Sequence, residues 1–181
     1  MNCWKSINLK KEYGHNRIYL VSFLIGLVSF LVLNVPFSII HGSVVMNDVG
    51  FFFFIIALFF LPTMHSIMHI LPLIVMNKRA KLLYNMKLKF VPVFYFYTKA
   101  HLKKSTSLIV TLAPTLLITI PGLIASYVFA NSYIYILLLT CVHIAISFTD
   151  YLYVLHILKA PKKAIIENGQ NGFDILIQPE K

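Results

Sequence analysis

Four long apolar runs dominate the chain and leave it few ways to fold. They cover about 18–40, 51–76, 107–130 and 133–158 and hold few or no formal charges. Crossing roughly 30 Å of hydrocarbon takes about 20 apolar residues in a helix, which satisfies its own backbone polar groups where no water can. The runs therefore predict four spanning helices. A soluble domain would need more polar surface than a chain of 181 residues that is 59% hydrophobic and 12% charged can supply. The first run is too long for the apolar stretch of a cleavable signal peptide, and no small-x-small site follows it, so it is expected to remain as a span. The expected class is an all-α integral membrane protein with four transmembrane helices. Residues 1–181 form a single membrane domain, with 159–181 as a cytoplasmic tail.

The placement of charge predicts the orientation. The net charge is +10, and all 16 basic residues lie outside the apolar runs or at their edges. Lys5, Lys10, Lys11 and Arg17 precede the first run. Lys78, Arg79, Lys81, Lys87, Lys89, Lys99, Lys103 and Lys104 lie between the second and third, and Lys159, Lys162, Lys163 and Lys181 follow the fourth. The two short connections, 42–50 and 131–132, have none. The positive-inside rule then puts both termini and the long middle loop in the cytoplasm, the pattern of a multi-pass protein of the cytoplasmic membrane. Topology accounts for the charge, so the expected partners are the lipid bilayer, with its anionic headgroups, and a membrane-protein partner or substrate, and no nucleic acid. Cys3 and Cys141 differ too much in depth to pair, and Cys3 faces a reducing compartment.

The middle loop contains KLKFV and VFYFYT, runs of β-branched and aromatic residues around Pro92. They predict two or three short strands, a small β-hairpin-like cytoplasmic loop between helices 2 and 3. An amphiphilic tether with Tyr95 and Tyr97 as interface anchors would read the same way. In the tail, Asn168-Gly169 and Asn171-Gly172 separate two apolar pieces and suggest a second hairpin.

Chemistry is concentrated in LPTMHSIMHILP, residues 61–72. His65 and His69 differ by about 40° around a helix and roughly 6 Å along it, so both rings can reach one ion. The pair alone equally suits interhelical hydrogen bonds. Asp150 is the only carboxylate inside the four runs. A charge at the middle of a span costs at least about 2.5–3.5 kcal/mol, so such a residue points to function. The second and fourth runs cross in the same direction. At 1.5 Å per residue, His65, His69 and Asp150 all lie roughly 21 to 27 Å from the outer boundary. Two histidines and a carboxylate with a fourth position open match catalytic zinc ligation, and a cation would offset the cost of the buried Asp. His143 and Ser147 share a helix face with Asp150. His143 stands roughly 10 Å outward along a straight helix, where it would line the cavity or lie behind the ligands. Pro62 and Pro72 should bend or open the second helix near the histidines, and Pro114 and Pro121 should do the same to the third.

In order, the chain has a span with H-x-x-x-H, a basic strand-rich loop, Leu112 to Pro114 (LAP) in a further span, a span with S-x-x-D at Ser147 to Asp150, and a G-x-D-like element at Gly172 to Asp174. This resembles the zincin peptidase family of small membrane proteins called domain of unknown function 3267, itself similar to a reduced site-2 intramembrane metalloprotease. The resemblance implies about four helices and a zinc site near the cytoplasmic face, with His65 and His69 as the motif histidines and Asp150 as the distal acidic ligand. The family motif is H-E-x-x-H, whose Glu is the general base; here Ser66 occupies that position. Serine cannot take up a proton at neutral pH, and losing a general base typically costs about 10²–10⁴-fold in rate.

Three readings follow. The first is a degenerate, non-proteolytic relative that still binds a divalent metal, most simply zinc. The second is an active intramembrane zinc peptidase with an atypical base. The third is a small structural or ion-handling membrane protein without metal.

Overall fold

The computed structural model describes residues 2–42, 48–77, 81–88, 91–97, 101–169 and 172–177. The chain is mostly helical, with a small antiparallel sheet at one end. Strand β1 (Asn2–Ile7) leads into a short helix α1 (Leu9–Tyr13), started by Asn8, whose side chain accepts from the backbone N–H of Lys11 at 3.2 Å. The long helices α2 (His15–His41) and α3 (Asp48–Val75) follow. A hairpin of β2 (Lys81–Leu88) and β3 (Val91–Tyr97) comes next, then the two-residue strand β4 (Leu102–Lys103).

The third apolar run is one rod with an internal change of winding. Helix α4 (Lys104–Pro114) passes into a π-helical turn, Thr115–Thr119, and then into α5 (Ile120–Val128). The two prolines explain the place. Pro114 and Pro121 bracket the turn, and neither has an N–H for the carbonyl four residues back, so the regular ladder is already broken on both sides. A 3₁₀ turn, Ala130–Ser132, precedes α6 (Tyr133–Ile146) and α7 (Phe148–Lys159).

Among the described residues, helices α2, α3 and the α4–α5 rod are each long and apolar enough to cross a bilayer, and the α6–α7 pair raises the number to as many as four. That pair bends by 44° at Ser147, where the sequence suggested one straight helix. There is no proline at the bend. Instead Ser147 has ψ −4° and its N–H bonds the carbonyls of both His143 and Ala145, a local tightening that tilts the next turn. Helix α3, by contrast, continues as a helix through both Pro62 and Pro72. Much of α2 presents apolar side chains outward, among them Phe23, Leu31, Val32 and Ile39. A surface this apolar suits lipid rather than water.

Close approach between helices fixes α6. A Cβ on Gly26 of α2 would stand 2.9 Å from Ala145 Cβ, and one on Gly122 of α5 would collide with Thr140 Oγ1. Both contacts need a residue without a side chain, as small-residue packing between membrane helices commonly does.

The four-stranded sheet has the order β1-β6-β5-β4, with β5 (Ile165–Gly169) and β6 (Gly172–Ile177) forming the tail hairpin. It joins the N-terminal segment, the start of the third rod and the tail. Ile7, Leu9, Ile18, Ile157, Ile166, Phe173 and Ile175 pack into one core beneath it. This core anchors the lower end of α7, the helix that carries Asp150.

Candidate metal centre

The site lies where α3, α4, α6 and α7 meet. Helix α3 supplies His65 and His69 one turn apart, and the first turn of α7 supplies Asp150. His65 Nε2 is 3.2 Å and His69 Nε2 is 3.6 Å from Asp150 Oδ2, and one ligand atom from each residue lies within 4.8 Å of the others. The rings of His65 and His69 stand edge to face, with centroids 5.0 Å apart. His65 and Asp150 are buried at 8% and 6% exposure.

The two contacts to Asp150 are close enough for ion pairs, but neither has hydrogen-bond geometry. Oδ2 is buried with no hydrogen-bond donor among the described residues. A buried carboxylate oxygen left in this way is costly unless a cation serves it. The spacing agrees. Ligands about 2.0–2.2 Å from a tetrahedral zinc lie about 3.3 Å from one another, close to the separations of 3.2 and 3.6 Å found here. The donor set of two imidazoles and one carboxylate therefore fits zinc.

The far side of each imidazole is also engaged. His69 Nδ1 lies 2.9 Å from the carbonyl oxygen of Val110 on α4. In a regular helix that carbonyl would accept from residue 114, but Pro114 has no N–H to give. With Nδ1–H donating to Val110, the Nε2 lone pair of His69 faces Asp150. His65 Nδ1 lies 3.2 Å from His143 Nε2, and His143 Nδ1 lies 2.8 Å from Thr119 Oγ1. His143 is fully buried. It stands on α6 one turn before the bend at Ser147 and reaches the Nδ1 side of His65.

Ser147 stands at that bend, fully buried, and its Oγ has no hydrogen-bond partner among the described residues. Ser66, beside His65, donates its hydroxyl to the Pro62 carbonyl at 3.1 Å. The remaining four histidines lie apart from the centre, His15 against the ring of Tyr19. His41 Nε2 bonds the Ser126 carbonyl at 2.9 Å, His156 pairs with Glu12 at 3.4 Å, and His101 faces Glu167 at 3.9 Å.

Residues 58–165 match the family described as "Putative zincin peptidase", domain of unknown function 3267. The chain belongs to this family. The match begins on α3 about two turns before the histidine pair and runs past Asp150 into the first residue of β5, so it contains every residue of the centre. No curated protein and no solved structure matches the chain. Membership in a zincin family implies zinc, and the two histidines and Asp150 of this member form a group that could hold it.

Val110 was not legible as part of the site, and Thr119 only as one of three threonines, with Thr111 and Thr115, that could line a polar seam of the third run. Val110 contributes only a backbone carbonyl, and Thr119 is placed by a π-helical turn. Pro114 was the available signal for Val110, since a proline in a helix always leaves the carbonyl four residues earlier without its usual donor.

Proposed function

We propose that this zincin peptidase family member is a multi-pass membrane protein that holds one divalent ion, zinc, through His65 Nε2, His69 Nε2 and Asp150, and that it has lost peptidase catalysis. The observation that carries the reading is the buried Oδ2 of Asp150, faced by two imidazole nitrogens without a hydrogen bond from either. When bound there, zinc would supply a Lewis-acid centre with a position open to a further ligand.

The chain's own residues set the limits on catalysis. Position 66 is the place of the family's general base, and its serine cannot take up a proton at neutral pH. Its hydroxyl is directed to the Pro62 carbonyl. Asp150 serves as a ligand, which leaves it no second role as base. The protein then acts by binding, with a membrane-protein partner as the expected counterpart and the bilayer as its setting.

The sheet supports an arrangement in which both termini lie on one side. It gathers β1, β4 and the tail hairpin at one end, and lysines flank these segments. With positive charge held inside, that end is cytoplasmic and the fourth span is the bent α6–α7 pair. The test is zinc content of the purified protein against a His65→Ala/His69→Ala double variant. Zinc in the first and little in the second is expected; equal, negligible zinc in both would overturn the reading.

A further inference from the structure

We propose that His143, seated on Thr119, is a positioning residue that sets the tautomer of His65 and so prepares the centre for metal. This rests on the reading of His65 as a ligand. The geometry is a chain of three groups from three helical elements. His65 Nδ1 on α3 meets His143 Nε2 on α6 at 3.2 Å, and His143 Nδ1 meets Thr119 Oγ1 in the π-helical turn at 2.8 Å.

Each link constrains the next. A neutral imidazole has one N–H and one lone pair, so each contact can run in only one direction at a time. If Thr119 accepts from His143 Nδ1–H, then His143 Nε2 must be an acceptor. It takes the Nδ1–H of His65, and the Nε2 lone pair of His65 is left toward Asp150. The opposite polarity would send His65 Nε2–H to Asp150 Oδ2. That pair, at 3.2 Å, lacks hydrogen-bond geometry, so the chain favours the first direction. His143 is fully buried on α6, and its two ring nitrogens meet His65 of α3 on one side and Thr119 of the π-helical turn on the other, which holds the ring in place. The π-helical turn is the device that brings Thr119 onto this line, in keeping with the frequent placement of such turns at functional sites.

The role is distinct from that of a ligand. His143 Nε2 faces the Nδ1 side of His65, opposite the nitrogen that meets Asp150. It orients a ligand, as partners behind metal-bound histidines do, and losing such a partner typically weakens metal binding by about 10–100-fold.

The experiment uses the full-length protein in detergent, with zinc itself as the probe in competition with a chromophoric chelator. His143→Leu should weaken zinc by about 10–100-fold, and His143→Gln, which can present an amide oxygen near the position of Nε2, should recover most of the loss. A Leu variant that binds zinc as tightly as wild type would overturn the proposal, as would a Gln variant no better than Leu. Thr119→Val, a near-isosteric change, serves if the buried Leu variant fails to fold, and should weaken zinc in the same direction; an unchanged affinity would count against the chain. A second readout is independent of metal. Nitrogen-15 spectra of the histidine rings in the zinc-free protein should show His65 protonated at Nδ1 in wild type and redistributed in His143→Leu. A wild-type His65 protonated at Nε2 would overturn the proposal. Absence of zinc from wild type with the Nδ1–H tautomer present would instead count against the metal reading alone.

Discussion

His69 Nδ1 lies 2.9 Å from the carbonyl oxygen of Val110, which Pro114, one turn further along α4, leaves without its helical donor. A residue that would ordinarily count as a defect in a membrane helix thus frees an acceptor for a histidine on the neighbouring helix. The contact joins α3 to α4 and turns His69 Nε2 toward Asp150.

Pro114→Ala supplies an N–H at position 114 that can compete for the Val110 carbonyl. The expected outcome is a zinc affinity lower by up to about 10-fold, the lower end for losing a partner behind a ligand, with zinc-free stability equal to or above wild type. Chelator competition and thermal unfolding in detergent check the two halves. Tighter zinc binding in the variant would contradict this role for the carbonyl.

Asp150→Asn separates holding metal from holding the fold. The carboxamide removes the anionic ligand and also the buried charge with no hydrogen-bond donor among the described residues. Zinc should be lost, while the zinc-free variant should unfold at the same temperature as zinc-free wild type or higher, because an uncompensated buried charge has been removed. Wild type should lose stability on adding chelator and the variant should not; saturation at about 100 times Kd is worth about 2.7 kcal/mol.

Ser66→Glu writes the family's H-E-x-x-H into this chain. With the metal site intact, it should raise cleavage of a transmembrane reporter peptide in liposomes by about 10²–10⁴-fold over wild type, the usual contribution of a general base. Ser66→Ala should behave as wild type. A wild-type protein that cleaves the reporter and loses the activity on Ser66→Ala would show that serine takes part in catalysis here.

The sequence made the spans legible because apolar length is a direct demand of the bilayer. The runs at 18–40 and 51–76 correspond to the apolar stretches of α2 and α3, and 107–130 to the α4–α5 rod. Counting helical rise along the second and fourth runs anticipated the approach of His65 and His69 to Asp150, which the structure brings together, because that rise is nearly constant. The strand β1 was not legible. NCWKSI lacks a clean alternation, and its pairing with β6 joins residues from opposite ends of the chain, which local pattern does not encode. Nor was the bend at Ser147 legible, since no proline or glycine marks it. His143, placed by straight-helix spacing about 10 Å outward from Asp150 and so lining the cavity or behind the ligands, meets the Nδ1 side of His65.

The most direct test of the metal centre is zinc K-edge absorption on the purified wild-type protein. The expected first shell contains two imidazole nitrogens and oxygen, all at about 2.0–2.2 Å, with the outer-shell scattering of two histidine rings. Sulfur at about 2.3 Å, from Cys3 or Cys141, or a first shell without imidazole, would contradict a centre built from His65, His69 and Asp150.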